Sequence, residues 1–90
     1  MKIEYYVVYG VGKPFDSPDA WKKMWDNFAK VLKKHKLEPM FFGGPLGTSE
    51  DRIYVMKGSV EDYQALMGDP DYNKADPIAS GWRTHLVLVP

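Results

Sequence analysis

The order in which two kinds of hydrophobic periodicity alternate along these 90 residues constrains the fold most strongly. Residues 2–10, 40–42, 52–57 and 82–89 are rich in the β-branched and aromatic side chains that favour strands. One helical segment lies between the first two strands, and another lies between the last two. The order β-α-β-β-α-β predicts a ferredoxin-like α+β fold, in which both helices cover one face of a four-stranded antiparallel sheet.

The first helix is predicted to begin at residue 17 and to present one apolar side. Ser17 can accept a backbone hydrogen bond as the N-cap, and Pro18 suits the first helical turn. Pro39 prevents the helix from running further. The following apolar residues recur at the i, i+3, i+4 spacing of a buried stripe: Trp21, Met24, Trp25, Phe28, Val31 and Leu32.

The second helix carries a start signal and a stop signal. Ser59 with Asp62 three residues later resembles a capping box, and Gly68 ends the apolar pattern. Residues 69–81 hold two prolines and a terminal glycine, which predicts turns and one short helical turn.

His35, at the end of the first helix, is predicted to cover the edge of the core or to help cap the helix.

Length and composition indicate one domain over residues 1–90 and exclude several classes of function. Twelve basic and twelve acidic residues cancel, so no overall field attracts nucleic acid or anionic lipid. A membrane-spanning helix needs about 20 predominantly apolar residues, and the longest apolar run is far shorter. Zero cysteines exclude disulfides, thiolate metal sites and a cysteine nucleophile. With no signal-peptide layout at the start, we expect a cytoplasmic protein. We also expect no cofactor.

Side chains alternate across a strand, so each strand divides into two sets that face opposite ways. We expect the more apolar sets to pack beneath the helices: Ile3, Tyr5, Val7, Ile53, Val55, Leu86 and Leu88. The uncovered face is then expected to carry Glu4, Tyr6, Val8, Arg52, Tyr54, Met56, Arg83, His85, Val87 and Val89. So many aromatic and aliphatic groups on an uncovered face predict an interface or a ligand groove. A chain this small also favours self-association.

The element order, the short length and the amphipathic uncovered face resemble the dimeric α+β barrel superfamily over residues 2–89. The resemblance implies a homodimer in which two ferredoxin-like protomers pair sheet against sheet. It also implies a pocket for a small apolar or aromatic organic molecule, since the superfamily includes cofactor-independent monooxygenases, haem-degrading enzymes, cyclases and isomerases. Because this one fold serves so many reactions, the fold alone does not indicate any one of them. The alternative is a non-catalytic dimer whose uncovered face is only an interface.

His85 is the leading catalytic candidate, because histidine transfers protons near neutral pH. The first and fourth strands are neighbours in this topology, so we expect Glu4 and Tyr6 to approach His85. In that hypothesis His85 acts as acid or base, and Tyr6 or Tyr54 polarises an oxygen atom of the substrate. The remaining candidate substrate-binding residues are Arg52, Met56, Arg83 and Val87. The alternative interpretation is a hydrogen-bonded histidine and tyrosine within a dimer interface.

The sequence gives less support to a metal site. With two histidines and no cysteine, a transition-metal site would need carboxylates to complete it. The carboxylates available are Asp69, Asp71 and Asp76, and turn formation explains these residues adequately.

RNA binding also has less support. RNA-recognition domains share this topology and stack bases on aromatic side chains of the sheet, and Tyr6 and Tyr54 lie on the central strands where such side chains belong. The third strand lacks their Lys/Arg-Gly-aromatic signature, and the net charge is zero, so nucleic acid is not an expected partner.

Overall fold

A computed structural model describes residues 1–12, 17–75 and 78–90. The elements are β1 Lys2–Gly12, α1 Pro18–Lys34, β2 Glu38–Gly43, β3 Arg52–Lys57, α2 Val60–Met67, α3 Pro70–Ala75 and β4 Ile78–Val89. The sheet has the order β2-β3-β1-β4, and each neighbouring pair of strands is antiparallel. The predicted ferredoxin-like α+β arrangement is confirmed.

Three strands are longer than the sequence pattern predicts. β2 runs over Glu38–Gly43 and not only over residues 40–42. β1 continues to Gly12 and β4 begins at Ile78, because these two ends pair with each other. Pairing with a neighbouring strand thus overrides the weak strand propensity of the small residues before Trp82. The short helical turn predicted within residues 69–81 is α3. Residues 13–16 of the turn predicted after β1, and Asp76, lie outside the described residues.

The predicted helix starts are confirmed. The Ser17 hydroxyl accepts a hydrogen bond from the Ala20 backbone N–H at 3.3 Å, and the Ser59 hydroxyl accepts one from Asp62 at 3.1 Å. α1 ends before Pro39 is reached. Lys36 adopts the left-handed conformation with φ 63°, and the Leu37 N–H donates to the Leu32 carbonyl at 3.0 Å. This is the Schellman arrangement, with a lysine at the position that usually holds glycine.

The core lies between the sheet and the helices and is rich in aromatic rings. The Phe28 and Tyr54 rings stack at 4.5 Å, and the Tyr6 and Tyr63 rings stack at 4.1 Å. Burying each such side chain stabilises the fold by about 1.5–3 kcal/mol. The buried apolar residues are Tyr6, Val8, Met24, Phe28, Leu32, Leu37, Tyr54, Met56, Leu66 and Tyr72.

The prediction of which sheet face the helices cover is wrong for β3 and for β1 from Tyr5 onward, whereas Ile3 packs against the core as predicted. Tyr6, Val8, Tyr54 and Met56 are buried beneath the helices, so the alternating set of β1 and β3 faces the other way. That set includes Tyr5, Val7, Ile53 and Val55. Alternation shows which residues share a face, but both sets here are apolar, so hydrophobicity alone does not decide which set the helices cover.

Leu86 and Leu88 were also expected in the core, and both are about half exposed. Leu86 pairs with Tyr6 and Leu88 pairs with Ile3, so both leucines lie on the helix side of the sheet. β4 is an edge strand, and the described helices leave this part of its surface uncovered.

Asp69 ties the end of α1 to the start of α3. Its carboxylate is buried and lies 2.7 Å from the Lys34 ammonium and 2.6 Å from His35 Nε2. It also accepts a hydrogen bond from the Asp71 backbone N–H at 2.9 Å. The Lys34 and His35 hydrogen bonds, in that order, hold the pKa of Asp69 well below its ordinary range. Asp69 therefore joins two helices as well as forming the predicted turn.

We expect Asp69→Ala to lower the melting temperature at pH 7. The melting temperature of this variant should also fall less than that of the wild type as the pH is lowered. The folded-state pKa of Asp69 lies below its ordinary value of 3.8, so its contacts stabilise the protein above about pH 4 and are lost as pH falls through the folded-state pKa. Circular dichroism melts between pH 2 and 7 measure this. Asp26→Ala, on the exposed side of α1, is the control; equal acid sensitivity in both variants would contradict the assignment.

Candidate functional site: the open face of the sheet

We use the term open face for the side of the sheet opposite the helices. The registers place Val7 between Val55 and His85, and Tyr9 between Ile53 and Arg83. Residues paired directly across two strands share a face. The open face therefore consists of Tyr5, Val7, Tyr9, Phe41, Ile53, Val55, Lys57, Arg83, His85 and Val87.

Apolar side chains form a strip that crosses all four strands of the open face. Phe41 on β2 is 52% exposed and Val87 on β4 is 37% exposed. The central members of the strip, including Val7 and Val55, are half-buried by their neighbours. Large contiguous apolar surfaces on folded chains are typical of interaction sites.

A polar group, which we term the Arg83 cluster, lies at one end of the strip. Arg83 Nε donates to Glu50 Oε2 at 2.8 Å, and Arg83 Nη2 donates to Glu50 Oε1 at 3.3 Å. The guanidinium carbon lies 4.1 Å from the centre of the Tyr9 ring. The His85 ring meets the Tyr9 ring edge-on at 5.4 Å. The cluster therefore places an ion pair, a phenol and an imidazole beside apolar surface.

The ion pair sets the electrostatics of the cluster. Its hydrogen bonds lower the pKa of Glu50 and raise the pKa of Arg83, so both groups stay charged and neutralise each other. Arg83 Nη1 lies 3.4 Å from His85 Nε2. Because a guanidinium nitrogen only donates, a hydrogen bond there requires the lone pair of a neutral imidazole on Nε2. The His85 imidazole therefore lies beside a fixed cation.

The structure separates the predicted site residues into two groups. Arg83, His85 and Val87 lie on the open face, whereas Arg52, Tyr54 and Met56 are buried on the helix side with Tyr6. The expected approach of Tyr6 to His85 is wrong, because Tyr6 pairs with Leu86 and His85 pairs with Val7. Consecutive residues of a strand point to opposite faces.

Glu4, also expected beside His85, lies near the other end of β1. Its carboxylate is 3.6 Å from the Lys57 ammonium, and the pairing of β1 with β4 is irregular between Ile3 and Tyr5. A pocket of about 420 Å³ opens at this end. Its lining residues are Lys2, Ile3, Glu4, Lys57, Gly58, Ser59, Val60 and Glu61.

The side chains on the helix side fill the core. The Tyr6 hydroxyl donates to the Gly58 carbonyl at 3.3 Å, and burial raises the pKa of Tyr6. The Tyr54 ring lies 4.5 Å from Phe28 and 4.9 Å from Phe42. The guanidinium of buried Arg52 occupies the space where a Cβ on Gly12 would stand. These contacts indicate that Tyr6, Arg52 and Tyr54 pack the core.

The two tryptophans of α1 pack as the helical spacing predicts. Trp21 and Trp25 contact the Phe42 ring at 4.7 Å and 5.7 Å between ring centres.

Among the described residues, no three histidine or acidic side chains stand together as a metal site. No helix in the same part of the chain is both long and apolar enough to cross a membrane.

The sequence candidates omitted Tyr9 and Glu50 of the Arg83 cluster and Phe41 of the apolar strip. Tyr9 was assigned to the opposite face of β1, and the position of Phe41 follows only from the register of β2 with β3. Glu50 lies outside the described strands, 33 positions from its partner Arg83. No sequence pattern indicated that pair.

Comparison with protein-family models and with curated proteins finds no match. Solved structures do match. The protein At3g17210 of Arabidopsis thaliana is 10% identical, with a TM-score of 0.67, covering 97% of this chain and 95% of its own. A dimeric ferredoxin-like protein of unknown function from Thermobifida fusca is 16% identical, with a TM-score of 0.56, covering 99% and 93%.

A third solved structure, a protein of unknown function from Rhodopseudomonas palustris, is 14% identical with a TM-score of 0.55. The alignment covers 100% of this chain and 86% of that one. At sequence identities of 10%, 14% and 16%, the structural similarity to these three proteins shows the fold alone. The ferredoxin-like fold predicted from the sequence is therefore confirmed, and one similar structure is a dimer.

Tyr54 and Tyr5 offer a matched test of which face the helices cover, because both are tyrosines in central strands. Tyr54→Ala should lower the free energy of unfolding by about 3–5 kcal/mol, as expected for loss of a buried ring. Tyr5→Ala, on the open face, should cost roughly half of that or less in the isolated chain. Urea unfolding at submicromolar concentration compares them, and a larger loss for Tyr5→Ala would contradict the assignment of faces.

Proposed function

We propose that this protein is a homodimer in which the open faces of two copies pack against each other to form a dimeric α+β barrel. The main support for this dimer is the apolar strip, which no described helix covers. Antiparallel sheets with one solvated face commonly carry polar side chains on that face. The dimeric ferredoxin-like protein from Thermobifida fusca, similar over 99% of this chain, supports the proposal.

The charges of the open face are compatible with burial between two copies. Phe41, Val55 and Val7 form an apolar central row, and the cations Lys57 and Arg83 lie in the rows on either side of it. Arg83 is already paired with Glu50 at 2.8 Å. A paired and hydrogen-bonded charge is much less costly to bury than an isolated one. Apolar contact stabilises the dimer without leaving a buried charge unmatched.

Val7→Lys places a charge at the centre of the open face and should at least halve the mass of the assembly. Unpaired charge is strongly disfavoured in an apolar interface. Sedimentation velocity at 10–100 µM measures the mass. Leu46→Lys is the matched control, because Leu46 is 97% exposed and lies between β2 and β3, and it should change nothing. A monomeric wild-type protein throughout this range would refute the proposed dimer.

The second part of the proposal is a pocket for a small apolar or aromatic molecule at the Arg83 cluster. His85 supplies a proton donor or acceptor, Arg83 orients polar atoms of the ligand, and Val87 contributes apolar surface. The juxtaposition of His85 with Arg83 Nη1 at 3.4 Å supports this role. Proton transfer, isomerisation, cyclisation or cofactor-independent oxygenation suits such a site better than hydrolysis, since no nucleophile and base stand together in the cluster.

His85→Ala distinguishes this pocket from an interface without a ligand. We expect ¹H–¹⁵N spectra of the wild-type protein to show shifts around residues 83–87 when small phenols and aromatic acids are added. The His85→Ala variant should lose these shifts and keep the wild-type mass. His35→Ala, on the helix side, is the control. Absence of shifts near His85 in the wild type, together with dissociation of His85→Ala, would favour the interface-only alternative.

A further inference from the structure

Glu50 is a buried acid beside the proposed ligand pocket. It lies between β2 and β3, and only 9% of its surface is exposed. An ionised carboxylate is costly to bury unless a cation and hydrogen bonds satisfy it. Arg83 supplies both, since its Nε donates to Glu50 Oε2 at 2.8 Å and its Nη2 donates to Glu50 Oε1 at 3.3 Å. Glu50 therefore holds a fixed negative charge next to the cation of the cluster.

The pairing with Glu50 changes which ligands Arg83 can bind. A guanidinium presents its donors in a planar fork that matches a carboxylate, so an arginine is by itself suited to an anionic ligand. Here two donors of the fork, Nε and Nη2, are directed at Glu50. An anionic ligand would have to compete with Glu50 for these donors, and its charge would stand beside a like charge.

Arg83 is also held in place from a second direction. Its guanidinium carbon lies 4.1 Å from the centre of the Tyr9 ring, a distance at which a cation is attracted to the ring face. Turning the guanidinium toward another acid would break this contact together with the ion pair to Glu50. The cation is thus fixed in orientation, and its charge is balanced before a ligand arrives.

We propose that Glu50 is a specificity-determining residue, which makes the pocket at the Arg83 cluster select uncharged aromatic molecules over aromatic carboxylates. This inference rests on the proposed ligand pocket and names the class of molecule that the pocket takes. The selected molecule carries a carbonyl or hydroxyl oxygen. When His85 Nε2 accepts from Arg83 Nη1, 3.4 Å away, the neutral imidazole keeps its proton on Nδ1 and can donate a hydrogen bond to that oxygen.

Selection of an uncharged ligand agrees with the packing of two open faces. An uncharged ligand adds no charge to the surface that the second copy covers. A carboxylate would add an anion there, while the nearby cation, Arg83, is already paired with Glu50. Burial of unbalanced charge in an apolar interface is strongly disfavoured. Closure of the dimer should therefore strengthen the discrimination.

Benzamide and benzoate are matched probes of this selectivity, because they have nearly the same shape and differ in charge. Titrations followed in ¹H–¹⁵N spectra at residues 83–87 measure both affinities at pH 7. We expect the wild-type protein to bind benzamide about tenfold more tightly than benzoate, since benzoate loses its hydration without gaining a cation of its own. Equal affinities in the wild-type protein refute the selectivity, whether or not any variant folds.

Glu50→Gln removes the negative charge and keeps the shape of the side chain. Arg83 then lacks an anionic partner, so the affinity for benzoate should rise about tenfold, while that for benzamide should change less than about threefold. A purely structural role of Glu50 predicts instead that both ligands are weakened alike. Glu61→Gln makes the same change of charge at an exposed position of α2, and it should leave the ratio of affinities at its wild-type value.

The double variant Glu50→Gln with Arg83→Gln tests whether the gain depends on the arginine. It removes both charges of the pair, so it leaves no unpaired cation to disturb folding, and circular dichroism checks both variants. We expect the gain in benzoate affinity to disappear. A gain that persists without Arg83, or an unchanged ratio in folded Glu50→Gln, refutes the role of Glu50 and leaves the pocket in place. Shifts with neither probe in any of these proteins refute the pocket and the inference together.

Discussion

Both faces of the sheet are apolar, and the helices in the described part of the chain cover only one of them. Tyr6, Val8, Tyr54 and Met56 are buried beneath the helices. The alternate residues of the same strands are also apolar, and they lie on the open face. Water contact with that face is unfavourable in proportion to its apolar area, at about 25 cal/mol per Å². The proposed association of two copies removes this area from water.

The aromatic core explains why the helices cover one set and not the other. Phe28 stacks on Tyr54, and Tyr63 stacks on Tyr6, so rings from both main helices meet rings from the central strands. Asp69 adds an ionic link between α1 and α3. These contacts orient the helices, and the Arg83 cluster is left on the opposite side of the sheet, where its residues are accessible to a ligand or to a second copy.

The sequence predicted the elements well and the faces poorly, for a physical reason. Helix caps such as Ser17 and Ser59 act through neighbouring backbone groups, so local pattern reveals them. The choice of face depends on ring contacts between distant residues, as between Phe28 and Tyr54. His85 and Arg83 were recognised as candidates by residue type. Their partner Glu50 was not, because long-range ion pairs leave no periodic signal.

Burial of the open face between two copies of the chain would bring methyl groups of different copies into contact. Isotope-filtered NMR of a mixture of ¹³C-labelled and unlabelled protein detects such contacts as nuclear Overhauser effects between copies. We expect intermolecular effects at Val7, Ile53 and Val55, because packed apolar side chains approach within about 4–4.5 Å. Methyl groups at these residues that show effects only within their own chain and to water would contradict this burial.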